Sequence, residues 1–202
     1  MAKYVVAEVL WDKTLTSAGE LDTNDDDDYG HSGALPIDDY LNFHVLIVTK
    51  TDDATTGNVS MYLNNDLTSA NYRYWVTGSS NSSTINGNAN DAFIGRSTGG
   101  SGLSGSYMRG EFTLSFPQVA GLRRTISGVS LAREDSTNTS IRVVAKEWVG
   151  SDPITRITIQ SSGHPTKKLV SGSRMIVIGE RTMSISTGAI ARGPGNITLS
   201  TL

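Results

Sequence analysis

The chain has 202 residues, 37% of them apolar, with a formal net charge of −3 and abundant Gly, Ser, Thr and Asn. It has no cysteine, which removes a disulfide framework and a thiolate zinc site from consideration, and only six lysines, so no long Glu/Lys-rich helical face can form. No segment is apolar over the length of a bilayer, and the opening MAKYVVAEVLWDKTLT lacks a signal peptide's apolar centre, so the chain reads as soluble and made in a cytoplasm.

The charge is divided unevenly. Residues 1–100 carry 14 acids and 5 bases, giving −9, whereas residues 101–202 carry 6 acids and 12 bases, giving +6. Two readings fit: the halves neutralise each other within one domain, or an acidic N-terminal arm docks on a basic face of a neighbouring copy.

In chain order, residues 3–11 read as a first strand with Val5, Ala7, Val9 and Trp11 on one face. Residues 16–36, TSAGELDTNDDDDYGHSGALP, are polar and acidic and read as a loop or arm. Residues 37–50 form the most apolar run of the N-terminal half. There Phe43, Val45 and Ile47 alternate with His44, Leu46 and Val48, as in a strand covered on both sides within a sandwich or at a subunit contact. Strands are expected at 59–63 and 72–76. From Thr77 to Ser106, 22 of 30 residues are Gly, Ser, Thr or Asn. That composition predicts a long surface connection with a turn at Asn86-Gly87 and one short strand near 92–95.

Further strands are expected at 107–116, 123–130, 140–149, 154–160, 174–180 and 182–187, with a last one at 197–199 after a Gly-Pro-Gly break. In TRITIQ, Ile157 and Ile159 point one way while Arg156, Thr158 and Gln160 point the other. Ten to twelve short strands without a helix imply an all-β fold, an antiparallel β-sandwich or barrel.

Little chemistry accompanies these strands. Asp22 to Gly30 is rich in hard oxygen ligands, but a calcium loop of the EF-hand type needs Gly at its sixth position and Glu at its twelfth, and no frame supplies them. A solvated acidic loop is the simpler reading. Gly100–Gly105 matches G-x-G-x-x-G but precedes a strand where a dinucleotide site requires a helix. His31, His44 and His164 lack metal-ligand spacing, and His44 reads as a strand residue with a satisfied imidazole. No Gly-x-Ser-x-Gly elbow supports a serine nucleophile, and the acids gather in one loop. Tyr72, Tyr74, Trp75 and Trp148 are either core residues or a sugar platform. Arg123-Arg124, Lys167-Lys168 and Arg174 are interrupted by acids and form no nucleic-acid stripe. The Asn-x-Ser/Thr triplets at Asn58, Asn81, Asn138 and Asn196 follow from composition. Catalytic, cofactor-binding and metal-binding residues are therefore expected to be absent.

The stretches YRYWVTGSSNSSTINGNANDAFIGRS, FTLSFPQ with RRTISGVS, and ITRITIQSSG with LVSGSRMIVIGE resemble a jelly-roll domain of tailed-phage virions over about residues 40–187. Val177-Ile178-Gly179 stands where that pattern usually reads Leu-Tyr-Gly. The resemblance implies a jelly-roll-like antiparallel sandwich over 37–187, an N-terminal strand and acidic arm over 1–36, and a C-terminal arm over 188–202. It implies a non-enzymatic structural protein without cofactor, metal, nucleic acid or membrane partner. The expected role is a capsid decoration (cement) protein on the virion exterior, forming homo-oligomers, commonly trimers, and binding the major capsid protein. A tail-fibre, receptor-binding or carbohydrate-binding module is the alternative. The expected interface residues are Asp25, Asp26, Asp27 and Asp28 on the arm, with Arg156 and Arg174 on the basic face they would meet.

Overall fold

The computed structural model describes residues 2–24, 34–35, 40–54, 56–80, 83–90, 92–99, 106–117, 119, 121–133, 138–162 and 165–185. Among these described residues twelve strands form two antiparallel sheets packed as a sandwich, an all-β fold. They are β1 (Ala2–Thr14), β2 (Leu21–Asp22), β3 (Tyr40–Thr49), β4 (Thr56–Leu63), β5 (Tyr72–Ser80) and β6 (Ser83–Asn90). Then follow β7 (Phe93–Thr98), β8 (Met108–Ser115), β9 (Arg124–Arg133), β10 (Thr139–Trp148), β11 (Ile157–Ser161) and β12 (Arg174–Ile185).

The long sheet has eight strands in the order β1-β12-β3-β8-β9-β10-β5-β6, and the short sheet has four, β2-β11-β4-β7. Pairing is nested about the middle of the chain: β1 with β12, β2 with β11, β3 with β8, and β4 with β7. Two hairpins, β5–β6 and β9–β10, then join side by side and extend the long sheet beyond β8.

Alternation explains why these residues form these strands. On β3, Phe43, Val45 and Ile47 are buried between the sheets while His44, Leu46 and Val48 are half-buried on the outer side. The ring of Phe112 on β8 occupies space left by two glycines. A Cβ on Gly128 would lie 2.5 Å from Phe112 Cδ1 and 2.2 Å from the Glu111 carbonyl oxygen, so only Gly fits there. Arg124 is fully buried, and its guanidinium donates to the carbonyls of Pro117, Leu122, Ser151 and Asp152. One cation thereby fixes two loops at the end of the sandwich. Burial pushes its pKa down, partly countered by nearby Asp152.

Several expectations are corrected. A bulge between Val9 and Trp11 reverses the parity of β1, so Val5, Ala7 and Val9 face solvent while Leu10 and Trp11 are buried. Residues 16–24 and 34–35 do not reach away as an arm. Leu21 and Asp22 pair with β11, and Thr23 and Leu35 are buried. The remainder of the acidic segment, with Asp25 to Asp28, and residues 188–202 lie outside the described residues. Thr77–Ser106 is largely strand: β6 runs through Asn86 and Gly87, which lie opposite Thr77 and Val76. The two strands expected over 174–187 are one strand, β12, with an irregularity at Glu180/Arg181. On β11 both faces are buried, because one side meets the sandwich interior and the other is covered by its own polar partners.

Candidate functional site

The β9–β10 hairpin inverts the usual polarity of a sheet. On β10 the inward residues are Ser140, Arg142, Val144, Lys146 and Trp148, and the outward ones are Thr139, Ile141, Val143, Ala145 and Glu147. Arg142 and Lys146 are buried, with Arg142 Cζ 5.4 Å from the Phe93 ring centre and Lys146 Nζ 5.9 Å from that of Tyr74. Such placement over aromatic faces offsets part of the cost of burying the charges. Basic residues ordinarily take the solvent side of a strand, and these two do not. They share the parity of Val144 and Trp148, which belong to the core.

The outer face is the reverse. Ile141 lies opposite Leu131, and Val143 opposite Val129, so four aliphatic side chains form a two-by-two block. They are 47%, 48%, 42% and 42% exposed in that order. Their exposed area is roughly 300 Å², the scale at which an apolar patch on a monomer is often functional. Toward β5 the block continues through Ala145 to Trp75, half exposed over a shallow groove of about 310 Å³ with Arg73 and Glu147 on its walls.

Two charges border the block on β8. Arg109 lies opposite Leu131 and Glu111 opposite Val129. Both are exposed, and neither takes an ion pair among the described residues. Other charges on this face close within the chain: Arg174 with Asp12, and Arg123 with Glu147 at 3.1 Å. Glu180 accepts from Asn42 Nδ2 at 2.7 Å and lies 3.4 Å from His44 Nε2. Those two bonds, Asn42 first, hold the Glu180 carboxyl below its ordinary pKa. His44 Nδ1 meets Thr113 Oγ1 at 3.3 Å, so the imidazole is satisfied as its place on an alternating strand implied.

The anticipated interface residues fall elsewhere. Arg156 donates through Nε and Nη2 to the carboxylate of Asp22, which is 2% exposed and also accepts from Thr158 Oγ1 and the Asn24 amide. Arg174 donates to Asp12 in the same forked manner, with Nε to Oδ1 at 2.7 Å. Both arginines thus tie one part of this chain to another: Arg156 holds β2 to the short sheet, and Arg174 joins β12 to β1. Both carboxylate oxygens of Asp22 take part in these bonds. Among the described residues no group of three or more His, Asp or Glu side chains could hold a metal ion.

A second group of exposed apolar residues, Leu41, Phe116, Val119 and Leu122, lies at the end of the sandwich. Phe116 has a φ of 53°, a left-handed conformation that costs a residue with a Cβ about 1–2 kcal/mol. Trp148, by contrast, is buried and donates from Nε1 to Asp66 at 2.8 Å, so it serves the core.

No family model matches the chain, and neither a curated protein nor a solved structure matches it. Sequence reasoning missed the block on β9 and β10 because Arg142 and Lys146 draw the eye as surface residues. Linking their parity to Val144 and Trp148 exposes Ile141 and Val143 as the outward pair.

Proposed function

We propose that the protein is a non-enzymatic structural protein of a virion, a decoration protein on the capsid exterior, whose outer long-sheet face is buried on assembly. The observation that carries the reading is the open block of Val129, Leu131, Ile141 and Val143 on a regular stretch of sheet. A chain that places cations inside and aliphatic residues outside on one strand fits an assembled state, since exposed contiguous apolar area favours association. The resemblance over residues 40–187 supports the virion context. The nested pairing of β1 with β12, β2 with β11, β3 with β8 and β4 with β7 supports a jelly roll, widened by two hairpins. Within this reading Asp25 to Asp28 meet the shell or a neighbouring copy.

The test mixes the full chain with shells assembled from the major capsid protein of the same genome. Saturable co-sedimentation is expected, and Ile141→Asp lowers it. A chain that stays in the supernatant at every ratio overturns the capsid reading.

A second reading rests on Trp75. A half-exposed indole beside Arg73 and Glu147 in a shallow groove is suited to stacking on a sugar, as in a receptor-binding module. Glycan-array binding abolished by Trp75→Ala supports it, and an array without signal rejects it.

A further inference from the structure

The block and its border on β8 have a symmetry that identifies their occupant. Arg109, Leu131 and Ile141 form one cross-strand row, and Glu111, Val129 and Val143 form the next. We propose that this face packs on the same face of a second copy of the chain, about a two-fold axis that crosses the strands between the two rows. The inference deepens the assembly reading and rests on it.

A rotation about that axis exchanges the rows strand for strand. It lays Arg109 on the partner's Glu111 and Glu111 on the partner's Arg109. Leu131 then meets the partner's Val129, and Ile141 the partner's Val143. The contact is self-complementary in charge and apolar in its centre, with two ion pairs at its side.

An axis along the strands has no such property, because it sets Arg109 and Glu111 against the column of Ser79 and Thr77 on β5. Two sheets laid face to face about 10 Å apart with strands nearly aligned is an ordinary packing. Size is adequate as well. The long sheet has eight strands, each of 8 to 13 residues. At about 4.8 Å between strands and 3.3 Å per residue, its face measures roughly 1,000 Å². A standard specific interface takes about 800 Å² from each partner. The charge pattern also accounts for Arg109 and Glu111, which, unlike Arg174 with Asp12, take no ion pair among the described residues.

The free full-length chain, without shells, is examined by sedimentation equilibrium near 100 µM, together with Arg109→Glu, Glu111→Arg and the double reversal. Both side chains are exposed, so the reversals spare the fold, which circular dichroism verifies. A two-chain mass is expected for the natural chain. Each single reversal places like charges together and weakens association by at least about tenfold. The double reversal restores the opposite-charge pairs and the association. A one-chain or three-chain mass for the natural protein overturns the inference, and so does a two-chain mass indifferent to the single reversals. A chain that pairs but ignores shells keeps this inference and loses the capsid reading.

Discussion

The two halves of the long sheet obey opposite rules. In β1-β12-β3-β8 the inner face is aliphatic and aromatic, with Trp11, Phe43, Val45, Phe112, Met175 and Val177 buried against the short sheet. Its outer face carries Asp12 bonded to Arg174 and Glu180 bonded to Asn42, with Val5 and Val9 exposed on the edge strand β1. In β9-β10-β5-β6 the inner face of β10 holds Arg142 and Lys146, and the outer face of β9 and β10 presents four aliphatic side chains to water. The first half closes part of its outer face with polar pairs inside the chain. The other leaves a contiguous aliphatic block exposed among the described residues, where association would cover it.

The largest expected effect tests the first half. Phe112→Ala removes a ring that fills the space over Gly110 and Gly128, and the strands cannot collapse onto the void. Denaturant unfolding should show a loss of about 4 kcal/mol. Val143→Ala, on the open half, should cost under about 0.5 kcal/mol in the single chain. Equal losses would erase the distinction.

Next comes the bond that holds the short sheet behind that half. Arg156→Ala leaves the Asp22 carboxylate buried without its forked partner, and the expected loss is about 3 kcal/mol. Unfolding measured at low protein concentration separates this effect from any on assembly. An unchanged midpoint would mean that β2 is not held by this pair.

A third change tests the joint between the halves. Asp66, in the connection from β4 to β5, accepts from Trp148 Nε1 at 2.8 Å, from Asn71 Nδ2 at 2.9 Å and from the Thr68 amide at 3.1 Å. Burial raises its pKa, but these hydrogen bonds outweigh it and the net shift is downward. The folded chain therefore binds this proton less readily than the unfolded chain does. The stabilisation is present above the unfolded value of about 3.9 and is lost as pH falls through the lower folded value. Asp66→Ala should cost about 2 kcal/mol at neutral pH. Its melting temperature should also fall less between pH 5 and pH 3 than that of the natural chain.

Much of the fold was legible because strands announce themselves by period. The alternation in β3, β8, β9 and β10 located those strands within three residues at each end, and turn residues separated them. One failure comes from parity, which is relative and is reversed by one inserted residue. The bulge after Val9 did so on β1. The Gly/Ser/Asn composition of residues 77–106 hid β6, which is specified by its neighbour in the sheet more than by its own propensity, whereas the short strand expected near 92–95 is the start of β7. The ion pairs of Arg156 and Arg174 were invisible because each joins residues more than a hundred positions apart. The charge asymmetry was real, but at Asp22 and Asp12 it resolves inside the chain.

The smallest effect on the single chain is the one that most sharpens the comparison. Ile141 sits outward and 47% exposed, so Ile141→Ser removes no contact with the core, and the isolated fold should lose under about 0.5 kcal/mol. The same residue should matter when copies meet. Association that favours the folded state raises the melting temperature with protein concentration, and the rise disappears when the contact is removed. The natural chain should therefore melt higher at 100 µM than at 1 µM, whereas Ile141→Ser should melt at one temperature throughout. Phe112→Ala predicts the converse, a lower melting temperature that still climbs with concentration. If the natural chain shows no climb, the outward block is tolerated surface, and the contrast between the halves of the sheet is one of packing alone.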